Sequence, residues 1–335
     1  MVASQKFPND FNGILAGSPA INWTEYVIAE LWPQVVMYET GYYPTPNEFN
    51  AMTQLVTAAC DGLDGVLDGV ISDLRRCKFD PAQTVGQTTT IGNETVTITD
   101  RLASIVHQIW KGPVTANGAP LWAGLNKGAA LTNVAATAQV NNVWVGQPFL
   151  VPQPWVQYFL KRDPSYDLST LSSAGIRDLF AESVAKFSAV IDSADPDLSA
   201  FHKAGGKLLA WHGEADQLIF PQGTVAYRKE VEARLGHQGH DAGRPHSQVD
   251  DFFRLFLAPG VDHCNGGTTV GAGPSDAFGA LREWVENGHA PDELAAASVR
   301  GGFERKLCKW PMVAKYDGHG DPNLATSFNC MADSW

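Results

Sequence analysis

Residues 207–216 read KLLAWHGEAD, an apolar run that follows two glycines and ends in acidic side chains. A short continuous apolar run of this kind is typical of a strand that is buried in a parallel sheet. Residues 252–257, FFRLFL, predict a second strand, which is apolar except for Arg254 and leads into the segment APGVDHC at 258–264. Helices are predicted after the two strands, over 222–235 and over 276–287. The order strand, helix, strand, helix indicates an α/β fold.

A third strand is predicted near the start of the chain. The run GILAG at 13–17 is short and apolar and follows a helix end and a turn, so a brief buried strand is expected there. Residues 1–22 and 198–335 would then form one α/β domain. The less regular segment 23–197 would be a large insertion into that domain.

Two helices stand out within the insertion. The sequence TPNE at 45–48 is a capping box with proline at the first helical position, and the helix that it starts is expected to reach Cys60. A second helix is predicted to begin near Asp100, because apolar residues recur on one of its faces. Between Trp110 and Pro154 the many Gly, Pro, Asn and Trp residues indicate packed loops.

Composition and charge exclude two classes of partner. The chain has 335 residues, of which 44% are hydrophobic, and a formal net charge of −12. No cluster of basic residues exceeds the pair Arg75-Arg76, so nucleic-acid binding is not expected. No apolar stretch approaches the roughly 18 residues of a membrane span, and the first residues, MVASQK, do not resemble a signal peptide.

The cysteines favour an exported protein. Cys60 and Cys77 are close in sequence, as are Cys308 and Cys330, so each pair could close a local disulfide. Cys264 is left over, and it could simply be a buried thiol. Two sequons for N-glycosylation, at Asn22 and at Asn93, also favour secretion, and Asn93 is the better acceptor because its surroundings are polar.

An acid and a histidine follow the two best-defined strands. Asp216 lies in the loop after the first strand, and His263 lies in the loop after the second. Ligands of open α/β sheets bind at the carboxyl ends of the strands, so both side chains should converge there. In this order they match the last two members of a Ser-Asp-His triad, in which the aspartate orients the histidine and the histidine activates the serine. The alternative is a turn aspartate and an unrelated surface histidine.

The nucleophile of such a triad is absent from the sequence. A Gly-x-Ser-x-Gly elbow should precede the acid, and the chain contains none. The nearest match, AGSPA at 16–20, has a proline directly after Ser18, which disfavours the strand-to-helix turn of an elbow. Ser18 is therefore not assigned as the nucleophile.

An acidic, glycine-rich loop over 60–73, CDGLDGVLDGVISD, predicts a Ca²⁺ site. Carboxylates and backbone carbonyls are the ligands that Ca²⁺ prefers, and three like charges this close repel one another unless a cation neutralises them. The loop is not an EF-hand, because its twelfth position is Ser72 rather than Glu. It could alternatively be an acidic turn without metal. The predicted ligands are Asp61, Asp64 and Asp68 and the carbonyls of Val66 and Val70.

Four segments in this order resemble the tannase and feruloyl esterase family. They are FPNDFNGILAGSPA at 7–20, CDGLDGV at 60–66, WHGEAD at 211–216 and APGVDHCNGG at 258–267. The resemblance covers almost the whole chain. It implies a secreted serine esterase with an α/β-hydrolase fold, an inserted lid domain and a structural Ca²⁺ site, in which Asp216 and His263 are catalytic.

The resemblance also implies a disulfide between Cys264 and the cysteine that precedes the nucleophilic serine. In the family, a Gly-Cys-Ser-x-Gly-Gly elbow comes shortly before the segment that matches Met1. Because this sequence lacks that elbow, we expect it to be an N-terminally truncated form that contains only a part of the α/β-hydrolase fold. We expect this form to be unstable and to have no esterase activity. A signal peptide would belong to the missing part.

Three functions are compatible with these features. The first is hydrolysis of an aromatic ester, either feruloyl or galloyl, on a small molecule or on plant cell-wall polysaccharide. The second is non-catalytic binding of phenolic compounds by a calcium-stabilised protein that has lost its nucleophile. The third is a structural calcium-binding module, which would explain the acidic loop but not the pair of Asp216 and His263.

Overall fold

The computed structural model describes residues 1–236, 247–266, 270–300 and 302–332. The helices are α1 (Val2–Lys6), α2 (Trp23–Ala29), α3 (Trp32–Thr40), α4 (Pro46–Cys60), α5 (Asp100–Lys111), α6 (Pro152–Pro154), α7 (Ser173–Ile191), α8 (Ser199–Lys203), α9 (Gln222–Gly236), α10 (Ser247–Asp250) and α11 (Ala277–Asn287). The strands are β1 (Gly13–Gly17), β2 (Thr88–Ile91), β3 (Glu94–Thr97), β4 (Thr137–Val140), β5 (Val143–Gly146), β6 (Lys207–Gly213), β7 (Phe253–Ala258), β8 (Ala272–Pro274), β9 (Glu293–Ser298), β10 (Glu304–Cys308), β11 (Val313–Tyr316) and β12 (Phe328–Met331).

The chain divides into two compact units. The first comprises Met1–Ile21, Asp61–Asp73 and Ser193–Trp335, and the second comprises Asn22–Cys60 and Leu74–Asp192. The acidic loop therefore lies in the first unit, although it was predicted as a part of the insertion. The physical reason is that Asp68 of the loop forms an ion pair with Arg305 of β10, which belongs to the first unit.

A parallel sheet with the order β1-β6-β7 organises the first unit. Successive side chains of a strand point to opposite faces, and β6 follows this rule. Leu208 and Ala210 pack in a cluster with Tyr227 of α9. Leu209, on the other face, packs in a cluster with Trp284 of α11. Both faces of the sheet are thus covered, and the predicted order β6, α9, β7, α11 is confirmed.

The boundaries of these elements have local causes. Helix α11 begins after Asp276, whose side chain accepts a hydrogen bond from the backbone N–H of Gly279 at 2.7 Å. It ends at Gly288, which has a φ of 73°, as expected of a glycine stop. After 222–235 the sequence over 236–247 is rich in Gly and His and predicts an exposed loop, and most of these residues lie outside the described part of the chain.

Strand β1 is present, but the prediction that it is buried is wrong. Leu15 at its centre is 37% exposed. Among the described residues, β1 pairs with β6 on one side only, so it forms an edge of the sheet. The apolar run predicts a strand correctly, whereas its burial depends on a neighbour on the other side, which the run itself cannot specify.

The rest of the first unit contains two antiparallel sheets. Strands β8, β9 and β10 form one, in the order β10-β9-β8, and β11 pairs with β12. The predicted disulfide between Cys308 and Cys330 is confirmed, and it joins β10 to β12. This segment has few apolar residues of its own, and the disulfide compensates by restricting the unfolded chain.

The second unit is mainly helical, with the hairpins β2–β3 and β4–β5. Both predicted helices are confirmed as α4 and α5. The capping box at the start of α4 is complete: Glu48 Oε2 accepts from the backbone N–H of Thr45 at 2.7 Å, and Thr45 Oγ1 accepts from that of Glu48 at 3.2 Å. The predicted disulfide between Cys60 and Cys77 is also present.

Among the described residues, no helix is long and apolar enough to cross a membrane.

Candidate active site

The structure brings Asp216 and His263 together at the carboxyl ends of the parallel strands. Strand β6 ends at Gly213 and β7 ends at Ala258, and each residue lies a few positions beyond its strand. The Nδ1 atom of His263 lies 2.9 Å from Oδ2 of Asp216. A carboxylate accepts hydrogen bonds, so Nδ1 carries the proton and Nε2 is left as the basic nitrogen.

Asp216 is fully buried and bonded through both oxygens. Its Oδ1 accepts from the backbone N–H groups of Leu218, at 2.9 Å, and Ile219, at 2.8 Å. Its Oδ2 faces the imidazoles of His263 and His212, at 2.9 and 3.1 Å. Burial raises the pKa of this carboxyl, but the hydrogen bonds from His212 and His263 outweigh it and lower the pKa to about 2. Asp216 is therefore ionised at neutral pH.

His263 is more accessible, since its side chain is 29% exposed. The hydrogen bond to Asp216 raises its pKa above the usual 6.5, and the nearby charge of Asp262 acts in the same direction, while partial burial opposes both. A more basic imidazole is a better proton acceptor. The Sγ atom of Cys264 lies 3.6 Å from the basic nitrogen Nε2.

The backbone around His263 is held in place by its neighbours. Its N–H donates to Oε1 of Gln217 at 3.1 Å, and the N–H of Cys264 donates to Oγ of Ser18 at 3.3 Å. Ser18 is 4% exposed, so its hydroxyl contacts the buried side of the loop over 259–266, which carries His263 and is called the histidine loop below. Sequence reasoning left Ser18 without a role, because the contact joins residues that are 246 positions apart.

Gly213 allows the histidine loop to approach β6. A Cβ atom at this position would lie 2.2 Å from the carbonyl oxygen of Val261 and 2.8 Å from that of Asp262. Both are backbone atoms, so neither can move aside without shifting the loop. A glycine at the end of β6 therefore sets the distance between the two loops that carry Asp216 and His263.

Two further buried residues at this site, His212 and Thr224, were missed by sequence reasoning. His212 is fully buried at the end of β6, and its Nδ1 lies 2.8 Å from Oγ1 of Thr224 in α9. The only sequence signal is a histidine inside an otherwise apolar strand run.

The carboxylates of the acidic loop accept hydrogen bonds from backbone N–H groups of the same loop. Asp61 accepts from the backbone N–H groups of Asp68 and Gly69, at 3.1 and 3.0 Å. Asp64 accepts from Val66 and Asp68 accepts from Val70, at 2.9 and 3.0 Å. Arg305 donates to the second oxygen of Asp68. The guanidinium of Arg305 thus neutralises part of the negative charge from which a metal ion is predicted.

The donors of this loop have the chemistry that Ca²⁺ requires, but they are not gathered into a cluster. Burial is the largest influence on Asp64 and Asp68, and it raises the pKa of both carboxyls even though Arg305 opposes it. Within the described ranges, no group of three or more His, Cys, Asp or Glu side chains is arranged to hold a metal ion. In this conformation the described side chains alone do not form a metal centre.

Cys264 is a free thiol and is exposed. The alternative of a buried core thiol is therefore wrong. Its backbone has a φ of 54° and a ψ of 28°, in the left-handed region that non-glycine residues rarely adopt. In the part of the chain that the structure describes, no serine hydroxyl contacts Nε2 of His263. The described residues thus bring together a buried carboxylate and a half-buried imidazole whose Nε2 accepts from none of the described serine hydroxyls.

Comparison with known proteins identifies relatives of this chain. The sequence model of the family described as "Tannase and feruloyl esterase" matches residues 1–331. A "Probable feruloyl esterase" of Arthroderma benhamiae is 43% identical over 338 residues, which cover 99% of this chain and 61% of the relative. A "Probable feruloyl esterase B-1" of Aspergillus flavus is 29% identical, with coverage of 98% and 62%. This chain therefore spans less than two thirds of these relatives.

Two solved structures share the fold of this chain. The tannin acyl hydrolase from Aspergillus niger superposes with a TM-score of 0.89 at 23% identity, over 99% of this chain and 62% of that one. Feruloyl esterase B from Aspergillus oryzae superposes with a TM-score of 0.82 at 25% identity, over 98% and 65%.

Proposed function

We propose that this chain, which belongs to the tannase and feruloyl esterase family, carries the acid and the base of a serine-type carboxylic ester hydrolase with an α/β-hydrolase fold. One observation carries the proposal: Nδ1 of His263 lies 2.9 Å from Oδ2 of the buried Asp216, at the carboxyl ends of two adjacent parallel strands. This is the geometry in which an aspartate orients a catalytic histidine.

The mechanism uses His263 first as a base and then as an acid. Its Nε2 takes the proton of a serine hydroxyl while the serine oxygen attacks the ester carbonyl carbon. The same proton then passes to the departing alcohol as the ester bond breaks, which leaves an acyl-enzyme. Nε2 then takes a proton from water as the water oxygen attacks the acyl carbon. The bond between the serine oxygen and the acyl carbon breaks, Nε2 gives the proton to the serine oxygen, and the carboxylic acid leaves. Asp216 stays ionised throughout and stabilises the imidazolium.

We place the serine in a Gly-Cys-Ser-x-Gly-Gly elbow on the N-terminal side of residue 1, within a longer protein. Two observations support this placement. The chain aligns with only 61% of its relative from A. benhamiae, and in α/β-hydrolases the nucleophile precedes the acid and the histidine. Cys264 is exposed beside Nε2 of His263, where a disulfide to the cysteine of that elbow would hold the serine close to its base.

The proposed substrate is an aromatic ester, feruloyl or galloyl, either as a small molecule or as a substituent of plant cell-wall polysaccharide. The names of the relatives support this class. The segment 23–197 would be the lid domain of the family, and the acidic loop would bind a structural Ca²⁺ ion, for which its carboxylates must turn away from the backbone N–H groups that they accept from. The two disulfides, Cys60–Cys77 and Cys308–Cys330, favour a secreted protein, because such bonds persist in oxidising compartments.

The test compares two proteins on methyl ferulate and methyl gallate. One is the 335-residue chain, and the other also contains whatever in-frame coding sequence precedes residue 1. We expect turnover only by the longer protein, and we expect His263→Ala and Asp216→Asn to abolish most of it. His319→Ala, which removes an exposed histidine, is the matched control and should keep full activity.

Three outcomes would overturn the proposal. Turnover by the 335-residue chain, or by the longer protein without His263, would mean that other residues perform the catalysis. An upstream sequence without a serine elbow, in a protein that binds phenolic acids but hydrolyses no ester, would establish the non-catalytic binding function instead.

A further inference from the structure

We infer that His212 is a positioning residue, which holds the Asp216 carboxylate for His263, and that Thr224 in turn fixes the ring of His212. The inference rests on the proposed function, since it assigns a role within the same site. It follows from the contacts of four buried or half-buried side chains in the order Thr224, His212, Asp216, His263.

The partners of His212 determine where its proton lies. Its Nε2 is 2.8 Å from the carbonyl oxygen of Ile219 and 3.1 Å from Oδ2 of Asp216. Both partners are acceptors, so Nε2 carries a proton whether the ring is neutral or charged. Its Nδ1 is 2.8 Å from Oγ1 of Thr224, which can donate to it. The threonine hydroxyl therefore favours the neutral tautomer that keeps the proton on Nε2, facing Asp216.

This arrangement gives Oδ2 of Asp216 two imidazole N–H donors. One is Nδ1 of His263 and the other is Nε2 of His212, whose single N–H is shared with the carbonyl oxygen of Ile219. Oδ1 accepts from the backbone of Leu218 and Ile219. These are the titratable and polar groups bonded to the carboxylate. Four donors hold the carboxylate plane and favour its ionised form. His263 depends on the fixed position of the carboxylate and on its negative charge, because its Nδ1–H donates to this acceptor.

Because His212 is buried, water cannot replace it as a hydrogen-bond donor to Asp216. His212 and Asp216 are fully buried and Thr224 is 2% exposed. When a buried donor is removed, no water takes its place, and the acceptor loses the full interaction. Removal of the His212 N–H should therefore weaken the ionised form of the Asp216 carboxylate and, as a consequence, the hydrogen bond between Asp216 and His263.

The experiment uses the longer protein, and its first readout does not require turnover. The pKa of Asp216 is measured by carbon-13 NMR of its carboxyl group, assigned by comparison with Asp216→Asn. The bonded Nδ1–H proton of His263 is followed in the same samples. We expect Thr224→Val, which removes only the hydroxyl, to raise the Asp216 pKa from about 2 by roughly one unit and to shift the His263 proton. Thr224→Ser, which keeps the hydroxyl, should behave like the natural protein.

Two more variants separate positioning from general stability. Thr24→Val removes a buried hydroxyl that donates to Asp192 at 2.7 Å in the second unit, so it should lower stability and leave both signals of the site unchanged. His212→Leu removes both ring nitrogens and should move both signals at least as far as Thr224→Val. If folded Thr224→Val and His212→Leu proteins keep the natural Asp216 pKa and His263 proton, the inference is wrong.

The same variants distinguish this inference from the proposed function. In the longer protein, Thr224→Val should lower kcat on methyl ferulate roughly tenfold with little change in KM, and Thr224→Ser should restore it. If the NMR signals move as expected but the longer protein hydrolyses no ester, the positioning role stands and the proposed function fails. If the ester is hydrolysed but kcat and the signals do not respond, only the positioning role fails.

Discussion

Nδ1 of His263 lies 2.9 Å from Oδ2 of Asp216, although the two residues are 47 positions apart in the chain. The bond raises the pKa of His263 and helps to lower that of Asp216, so each side chain favours the charged form of the other. A raised histidine pKa means that the folded protein holds the proton more tightly than the unfolded chain. This contribution to stability is complete below the unfolded value of 6.5 and is lost as the pH rises through the folded pKa.

The first prediction concerns that pKa directly. We expect proton NMR of the imidazole ring to give His263 a pKa above 6.5, and Asp216→Asn to bring it to 6.5 or below, because burial then acts without the opposing carboxylate. Asp163→Asn, a change to an exposed turn aspartate, should leave the titration of His263 unaltered. An unchanged titration in Asp216→Asn would show that the carboxylate does not control the base.

Gly213→Ala tests the close approach of the two site loops. The added Cβ would meet the carbonyl oxygen of Val261 at 2.2 Å, so the loop that carries His263 must shift. We expect a loss of about 2 kcal/mol in the free energy of unfolding, measured by urea denaturation, and a change in the His263 titration.

Gly175→Ala is the matched control for that substitution. Its Cβ would lie 3.4 Å from Cδ2 of Leu171, which is an ordinary contact in helix α7. Alanine should be neutral or slightly stabilising there, by a few tenths of a kcal/mol. Equal effects at the two glycines would contradict the steric argument for Gly213.

Removal of calcium tests the acidic loop. If Asp61, Asp64 and Asp68 bind Ca²⁺, chelation should lower the melting temperature of the purified protein, and added Ca²⁺ should restore it, because a bound ion stabilises the folded state. Asp61→Asn should remove this response, and Asp163→Asn should keep it. Protein that contains no calcium and melts unchanged after chelation would mean that hydrogen bonds and Arg305 hold the loop without metal.

The two sequons differ in exposure, and this predicts which one carries a glycan. Asn93 and Thr95 are exposed at the turn between β2 and β3. In the other sequon, Thr24 is fully buried and its hydroxyl donates to Asp192. After secretion from a eukaryotic host, Asn93→Gln should therefore lose the glycan mass and Asn22→Gln should not. Glycan on Asn22 would contradict the burial argument.

Local signals explain what could be predicted from the sequence. Helix α4 begins at a capping box whose two hydrogen bonds join residues only three positions apart. Strands β6 and β7 are mostly apolar, so the sequence also predicts that they are buried. The convergence of Asp216 and His263 was predictable because parallel strands place the loops that follow them at one edge of the sheet.

What could not be predicted depends on distant contacts. The ion pair of Asp68 and Arg305 joins residues 237 positions apart, so the sequence showed three like charges and not their partner. The exposure of Leu15 depends on whether a strand lies beside β1. The proposed role of His212 depends on a turn that brings the carbonyl of Ile219 to its Nε2. The apolar pattern of the strand does not predict that turn.

The most direct test of the central claim is the pH dependence of kcat/KM for methyl ferulate, measured on the longer protein alongside the NMR titration of His263. If His263 is the general base, kcat/KM should rise with pH through one ionisation whose pKa equals that of His263, above 6.5. In Asp216→Asn the residual activity should follow the lowered pKa. A kinetic pKa that differs from that of His263, or that stays in place when the His263 titration moves, would contradict the account.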